Sequence, residues 1–140
     1  MSEEPVIRVV VIDDHEMILQ STVRLLRDDP QISVVGIALT AEQGICVTQE
    51  VQPDIVIIDY SLTDMDAPEA IKILRMVDPK VKVITFSGSE RPGALYASIR
   101  AGSSGWVNKT RAIQDLRHTV LIGSCENRMS GRRVDVHPGD

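Results

Sequence analysis

The sequence predicts an α/β domain built on a parallel sheet, and three observations carry that prediction. Short runs rich in β-branched residues alternate with longer stretches of helical spacing. Within the runs the apolar residues are consecutive rather than alternating, the mark of strands covered on both faces. Pro30, Pro53 and Pro79 each close a helical stretch a few residues before a run begins. A chain of 140 residues holds one such domain and has no room for two full cores.

Taken in order, Val6–Ile12 reads as the first strand, and a helix follows it. There Leu19, Val23 and Leu26 share one face, with Ile18 and Leu25 beside them. Ile32–Ala38 is the second strand and Ile55–Asp59 the third. The helix after the third strand opens with Asp66 placed to cap, Glu69 three residues later and Pro68 in the first turn, where its missing N–H does no harm. Lys82–Ser87 and Gly105–Val107 are the fourth and fifth strands. A last helix runs from Ala112 to Gly123, with Ile113, Leu116, Val120 and Leu121 on its apolar side. The total is five strands with about five helices, without internal repeats. Beyond Gly123 the apolar period stops, so the domain is expected over residues 1–123, with 124–140 a linker or disordered tail.

The composition excludes several function classes. A net charge of −5 gives no bulk electrostatic hold on nucleic acid or an anionic membrane. One Phe, one Trp and two Tyr are too few for a base-stacking platform. The longest apolar runs are far too short to span a bilayer, and Met1–Pro5 is acidic, so no secretory signal is expected. Cys46 and Cys125 lack metal or redox spacing, which suits a reduced, cytoplasmic setting.

In an open parallel sheet, ligands bind beyond the carboxyl ends of the strands. There the first strand delivers Asp13 and Asp14, the third Asp59, the fourth Ser87 with Gly88 after it, and the fifth Lys109 just past Trp106. Three carboxylates at one rim repel one another unless protons are shared or a divalent cation intervenes. Carboxylates, carbonyls and water suit Mg²⁺ better than Zn²⁺, and Mg²⁺ shares its remaining positions with phosphate oxygens. A lysine and a hydroxyl beside it are partners for further phosphoryl oxygens. The set points to phosphoryl transfer, with Asp59 on the middle strand as nucleophile.

Each of these residues alone has a plainer reading. An Asp at a strand end is usually a cap or turn residue, and Asp14 could cap the first helix. Ser87 alone is a satisfied hydroxyl, Lys109 a surface charge and Trp106 part of the core. Joint arrival at the same end of separate strands reverses those odds. The pairs Asp28–Asp29 and Asp64–Asp66 read as helix-end and loop charges without chemistry. His15, His118 and His137 lack metal-ligand spacing and read as surface or capping residues.

Four motifs in order carry a resemblance: VVVIDDHEMI (9–18), PDIVIIDYSLTDMD (53–66), VITFSGS (83–89) and AGSSGWVNKT (101–110). From about Arg8 to Gly123 the chain resembles the receiver domain of two-component response regulators, most of all the NarL/FixJ (LuxR-type) subfamily. The resemblance implies a flavodoxin-like (CheY-like) fold with strand order 2-1-3-4-5. It implies that Asp59 is the phosphoacceptor, that Asp13 and Asp14 hold Mg²⁺ with Asp59 and the backbone carbonyl of Ser61, and that Lys109 contacts the phosphoryl group. Ser87 matches the switch hydroxyl and Trp106 the switch aromatic. The implied partners are a sensor histidine kinase and, after phosphorylation, a second copy through the face of the fourth helix, fifth strand and fifth helix. DNA would be bound only through a C-terminal helix-turn-helix domain, which these residues do not include. Such a protein catalyses its own phosphorylation and acyl-phosphate hydrolysis and is not a turnover enzyme.

This chain departs from the family pattern at Thr63 and Ala67, where Pro and Gly are common, so the loop after Asp59 is expected to take a different path. It departs again at Thr110, where Pro is usual. A cis peptide there would cost about 2.5–4 kcal/mol without proline, so a trans bond is expected. Trp106 is also bulkier than the common aromatic. These departures define the alternative, a degenerate receiver acting as an interaction module without phosphorylation. An FMN binder fails because Asp13 and Asp14 would repel a bare phosphate. A haloacid-dehalogenase-type phosphatase fails because its nucleophile would stand on the first strand.

Overall fold

The computed structural model describes residues 6–87, 92–108 and Val120. Along the chain β1 (Ile7–Ile12), α1 (Glu16–Arg27), β2 (Ile32–Ala38), α2 (Ala41–Val51), β3 (Ile55–Asp59), α3 (Ala67–Val77), β4 (Lys82–Ser87), α4 (Pro92–Ala101) and β5 (Gly105–Asn108) follow one another. The strands form one five-stranded sheet in the order β2-β1-β3-β4-β5, and every pairing is parallel. The second, third and fourth expected strands coincide with β2, β3 and β4 residue for residue. The helix expected over Ala112–Gly123 lies outside the described residues except for Val120, which is buried in the core.

Consecutive apolar residues cover both faces of the central strands. Val9, Val11, Ile55 and Ile57 pack with Leu19, Val23 and Leu26 of α1 on one side. Val10, Ile12, Val56 and Ile58 pack with Ile71 and Leu74 of α3 on the other. Each such side chain contributes about 1.5–3 kcal/mol when fully buried. β2 departs from the expectation of two covered faces: its interior residues are only partly covered, and Ile37 is 53% exposed. As an edge strand it pairs, among the described strands, with β1 alone. A β-branched run reports strand propensity, not position within the sheet.

The helix starts bear on two further residues. α1 takes His15, not Asp14, as its N-cap, and the imidazole makes no capping bond to the helix. Asp66 is the N-cap residue of α3, yet its carboxylate makes no capping hydrogen bond. An N-cap oxygen bonds the amide of the second or third helical residue. In α3 the second is Pro68, which has no N–H to offer. At the other end of the domain, α4 closes on Gly102 at φ +115°. The Gly102 N–H donates to Ile99 O and the Ser103 N–H to Ser98 O, a Schellman turn into β5.

Candidate functional site

The connections of the sheet leave β1 in opposite directions, first outward to β2 and then back across to β3. The crevice at such a reversal is where an open α/β sheet binds its ligand. Asp13 and Asp14 follow β1 and Asp59 ends β3, so three carboxylates stand at that point. The Asp13 N–H still donates to Ala38 O at 3.0 Å, which extends the β1–β2 ladder to the rim. Its Oδ1 accepts the His15 N–H at 2.9 Å. Asp59 Oδ1 accepts the Ser61 N–H at 3.3 Å, while the Tyr60 N–H donates to Phe86 O at 3.0 Å and ties the strand end to β4. Asp13 and Asp59 are each only 1% exposed, and the Asp14 side chain is somewhat more open.

One donor atom from each of Asp13, Asp14, His15 and Asp59 falls within 4.8 Å of all the others. The structure therefore brings the three carboxylates together, and it adds a residue that the sequence reading set aside. His15 is exposed as expected, but its Nδ1 lies 3.0 Å from Asp14 Oδ1. A signal was available: His15 directly follows the two acids at the strand tip, where a side chain shares their rim whatever its spacing from other histidines. Ser87 ends β4 and is fully buried, one residue beyond Phe86, the register partner of Asp59. Ser61 is exposed and stands two residues past Asp59. Trp106 pairs with Thr85 in the sheet register. Its side chain, Lys109 and the Lys109–Thr110 peptide lie outside the described residues.

The loop between β3 and α3 is fastened by Asp64, whose sequence context alone suggests only a loop charge. Its Oδ1 accepts the Ala41 N–H at 2.9 Å and its Oδ2 the Glu42 N–H at 3.0 Å. These are first-turn amides of α2, so the carboxylate satisfies orphan donors and meets the positive end of the helix dipole. Slight desolvation pushes this exposed carboxyl up, but the amides of Ala41, Glu42 and Asp64 itself outweigh it and hold the group below the ordinary 3.8. Ala67 sits here without the backbone angle that favours glycine. It is the first residue of α3, and outside glycine only Gln52 has a positive φ among the described residues.

The donor set suits a hard divalent cation. Two carboxylates buried to this degree beside a third carry charge that burial alone penalises, and a bound cation offsets it. Oxygen donors dominate the cluster, as Mg²⁺ requires.

Comparison with known proteins gives a consistent result. The sequence model of the response regulator receiver domain matches residues 9–121. A protein-glutamate methylesterase/protein-glutamine glutaminase from Nocardioides sp. is 31% identical over 143 residues, covering 96% of this chain and 39% of that protein. The transcriptional regulatory protein LiaR of Bacillus subtilis is 30% identical over 134 residues, covering 90% of this chain and 62% of LiaR. The chain thus spans less than two thirds of the length of either relative. Among solved structures, the signal receiver domain of NarL from Mycobacterium tuberculosis superposes with a TM-score of 0.81 at 25% identity, over 89% of this chain and 98% of that one. A LuxR-family two-component response regulator from Aurantimonas sp. SI85-9A1 gives 0.81 at 26% identity over 86% of each chain.

Proposed function

Because the chain belongs to the response regulator receiver family, in the form found in LuxR-type two-component regulators, we propose that it is a phosphorylation switch whose acceptor is Asp59. The observation that carries this reading is the position of Asp59: buried at the tip of β3, at the reversal of strand order, clustered with Asp13 and Asp14. Asp13, Asp14, Asp59 and the Ser61 carbonyl would hold Mg²⁺, which when bound neutralises charge that would otherwise repel a phosphoryl donor.

The partner is a sensor histidine kinase carrying a phosphohistidine. A carboxylate oxygen of Asp59 attacks phosphorus, the new P–O bond forms as the P–N bond breaks, and the imidazole nitrogen keeps the electron pair. The Ser61 N–H on Oδ1 orients the carboxylate for that attack. Lys109 and the Ser87 hydroxyl take phosphoryl oxygens. Drawing Ser87 toward the phosphoryl group moves the end of β4, gives Trp106 room to turn inward and changes the face of α4, β5 and the following helix. Homodimerisation on that face is the output, and DNA contact belongs to a separate helix-turn-helix domain. Residues 1–123 are the receiver and 124–140 the linker. The protein works in the cytoplasm, and its only chemistry is its own phosphorylation and dephosphorylation. The phosphorylation-independent alternative is not favoured, since the acidic residues stand together and Ala67 fits the loop unstrained.

Acetyl phosphate or phosphoramidate with Mg²⁺ is expected to add one phosphoryl group, read by intact mass, and Asp59→Asn to abolish the adduct. An adduct of equal yield on the Asp59→Asn chain overturns the assignment.

A further inference from the structure

His15 has no part in the switch just described, yet its imidazole stands among the three carboxylates. Its Nδ1 lies 3.0 Å from Asp14 Oδ1, 3.5 Å from Asp13 Oδ1 and 3.9 Å from Asp59 Oδ2. Opposite ligands of one octahedral cation at 2.0–2.1 Å are about 4.2 Å apart, and adjacent ones about 3 Å. The three His15 separations fall between those two limits, and the four donors all lie within 4.8 Å of one another, close enough to draw in around one ion. The side chain is also available for that task. Its backbone is pinned by the N–H bond to Asp13 Oδ1, it makes no capping bond to α1, and at 59% exposed it rotates without displacing packed neighbours.

We propose that His15 is a metal-selectivity residue: it adds a nitrogen ligand to the cation site, so that borderline transition ions gain over Mg²⁺ more than the carboxylates alone would allow. The inference rests on the reading of Asp13, Asp14 and Asp59 as a cation site. Its chemistry is general. Imidazole suits Co²⁺, Ni²⁺ and Zn²⁺, while Mg²⁺ favours oxygen ligands and retained water. A chain with carboxylates alone would rank these ions less steeply than one that adds an imidazole.

The test uses the full, tag-free chain stripped of metal and titrated calorimetrically with MgCl₂ and separately with CoCl₂, the visible bands of bound Co²⁺ reporting nitrogen ligation. His15→Ala is expected to weaken Co²⁺ about tenfold or more while moving Mg²⁺ by less than about threefold, with a change in the cobalt spectrum. His15→Gln, which keeps a polar side chain without the imidazole, is expected to behave like His15→Ala. Equal changes for both ions would make His15 only a neighbouring charge, and unchanged cobalt binding would remove it from the site. Either result overturns the inference. Failure of the underlying cation site looks different: wild-type chain that binds neither ion, or Asp13→Asn that leaves both affinities intact.

Discussion

The two halves of the sheet are built from different materials. Apart from Arg8, β1 and β3 are apolar up to their tips, and polar chemistry begins only at Asp13 and Asp59. The layers beside them bury large side chains such as Leu26, Ile71 and Leu74. On the other side, β4 buries the hydroxyls of Thr85 and Ser87 among Val83, Ile84 and Phe86, and the buried described residues of α4 are Ala94, Ser98 and Ala101. Directional bonds take over there. Thr85 Oγ1 lies 2.8 Å from Ser103 Oγ, which in turn donates to Gly105 O at 2.7 Å. Apolar area buried sets most of the attachment energy, so a helix seated on alanines and serines is held far less firmly than one seated on leucine and isoleucine. The first half holds three carboxylates at its rim, and the second relies more on directional bonds.

The largest expected effect is therefore on the first half. An added Cβ at Gly44 of α2 would stand 2.2 Å from Ile12 Cδ1 and 2.5 Å from its Cγ1. Ile12 is fully buried and cannot swing aside, so Gly44→Ala should cost about 1–3 kcal/mol in urea unfolding. Because Ile12 directly precedes Asp13, the same substitution should also weaken Mg²⁺ binding. Thr85→Val probes the second half with nearly the same volume. It removes one hydroxyl partner of Ser103, leaves the bond to Gly105 O and should cost about 1 kcal/mol. Mg²⁺ affinity should stay at the wild-type value. A Thr85→Val loss as large as that of Gly44→Ala, or a matching loss of Mg²⁺ binding, would erase the mechanical distinction.

What was legible in the sequence follows the same division. Central strands announce themselves because two buried faces demand unbroken apolar runs, and their tips then mark Asp13, Asp14 and Asp59 as neighbours. Strand identity was equally readable in β2, but its partial exposure was not, since edge and centre use the same residues. Asp66 misled because the usefulness of a cap depends on the amides beneath it, and Pro68 removes one. His15 is exposed at the N-cap position of α1, in keeping with a surface or capping residue, but its closeness to the carboxylates at two strand ends is not a histidine-spacing signal. Asp64 was invisible for a different reason. Its partners are backbone amides 22 and 23 residues away, groups that nearly every residue carries and that no side-chain pattern reveals.

Asp64 is where the rim of the first half is stitched to a helix, and the smallest predicted effect tests that stitch by its pH dependence. Asn can still accept an amide hydrogen but brings no charge to the positive end of α2, so Asp64→Asn should cost about 0.5 kcal/mol at pH 7. The sign follows from linkage. The folded carboxyl is held below its ordinary 3.8, so the ionised form stabilises the fold above that value. As pH falls through the lowered folded value, wild type takes up the proton and loses the advantage. Urea midpoints of wild type and Asp64→Asn should thus differ at neutral pH and converge in acid below the ordinary carboxyl range. A gap that persists undiminished into acid would mean that the amide bonds, not the charge, fasten the loop. The site's frame would then rest on hydrogen-bond geometry alone, with the α2 dipole a bystander.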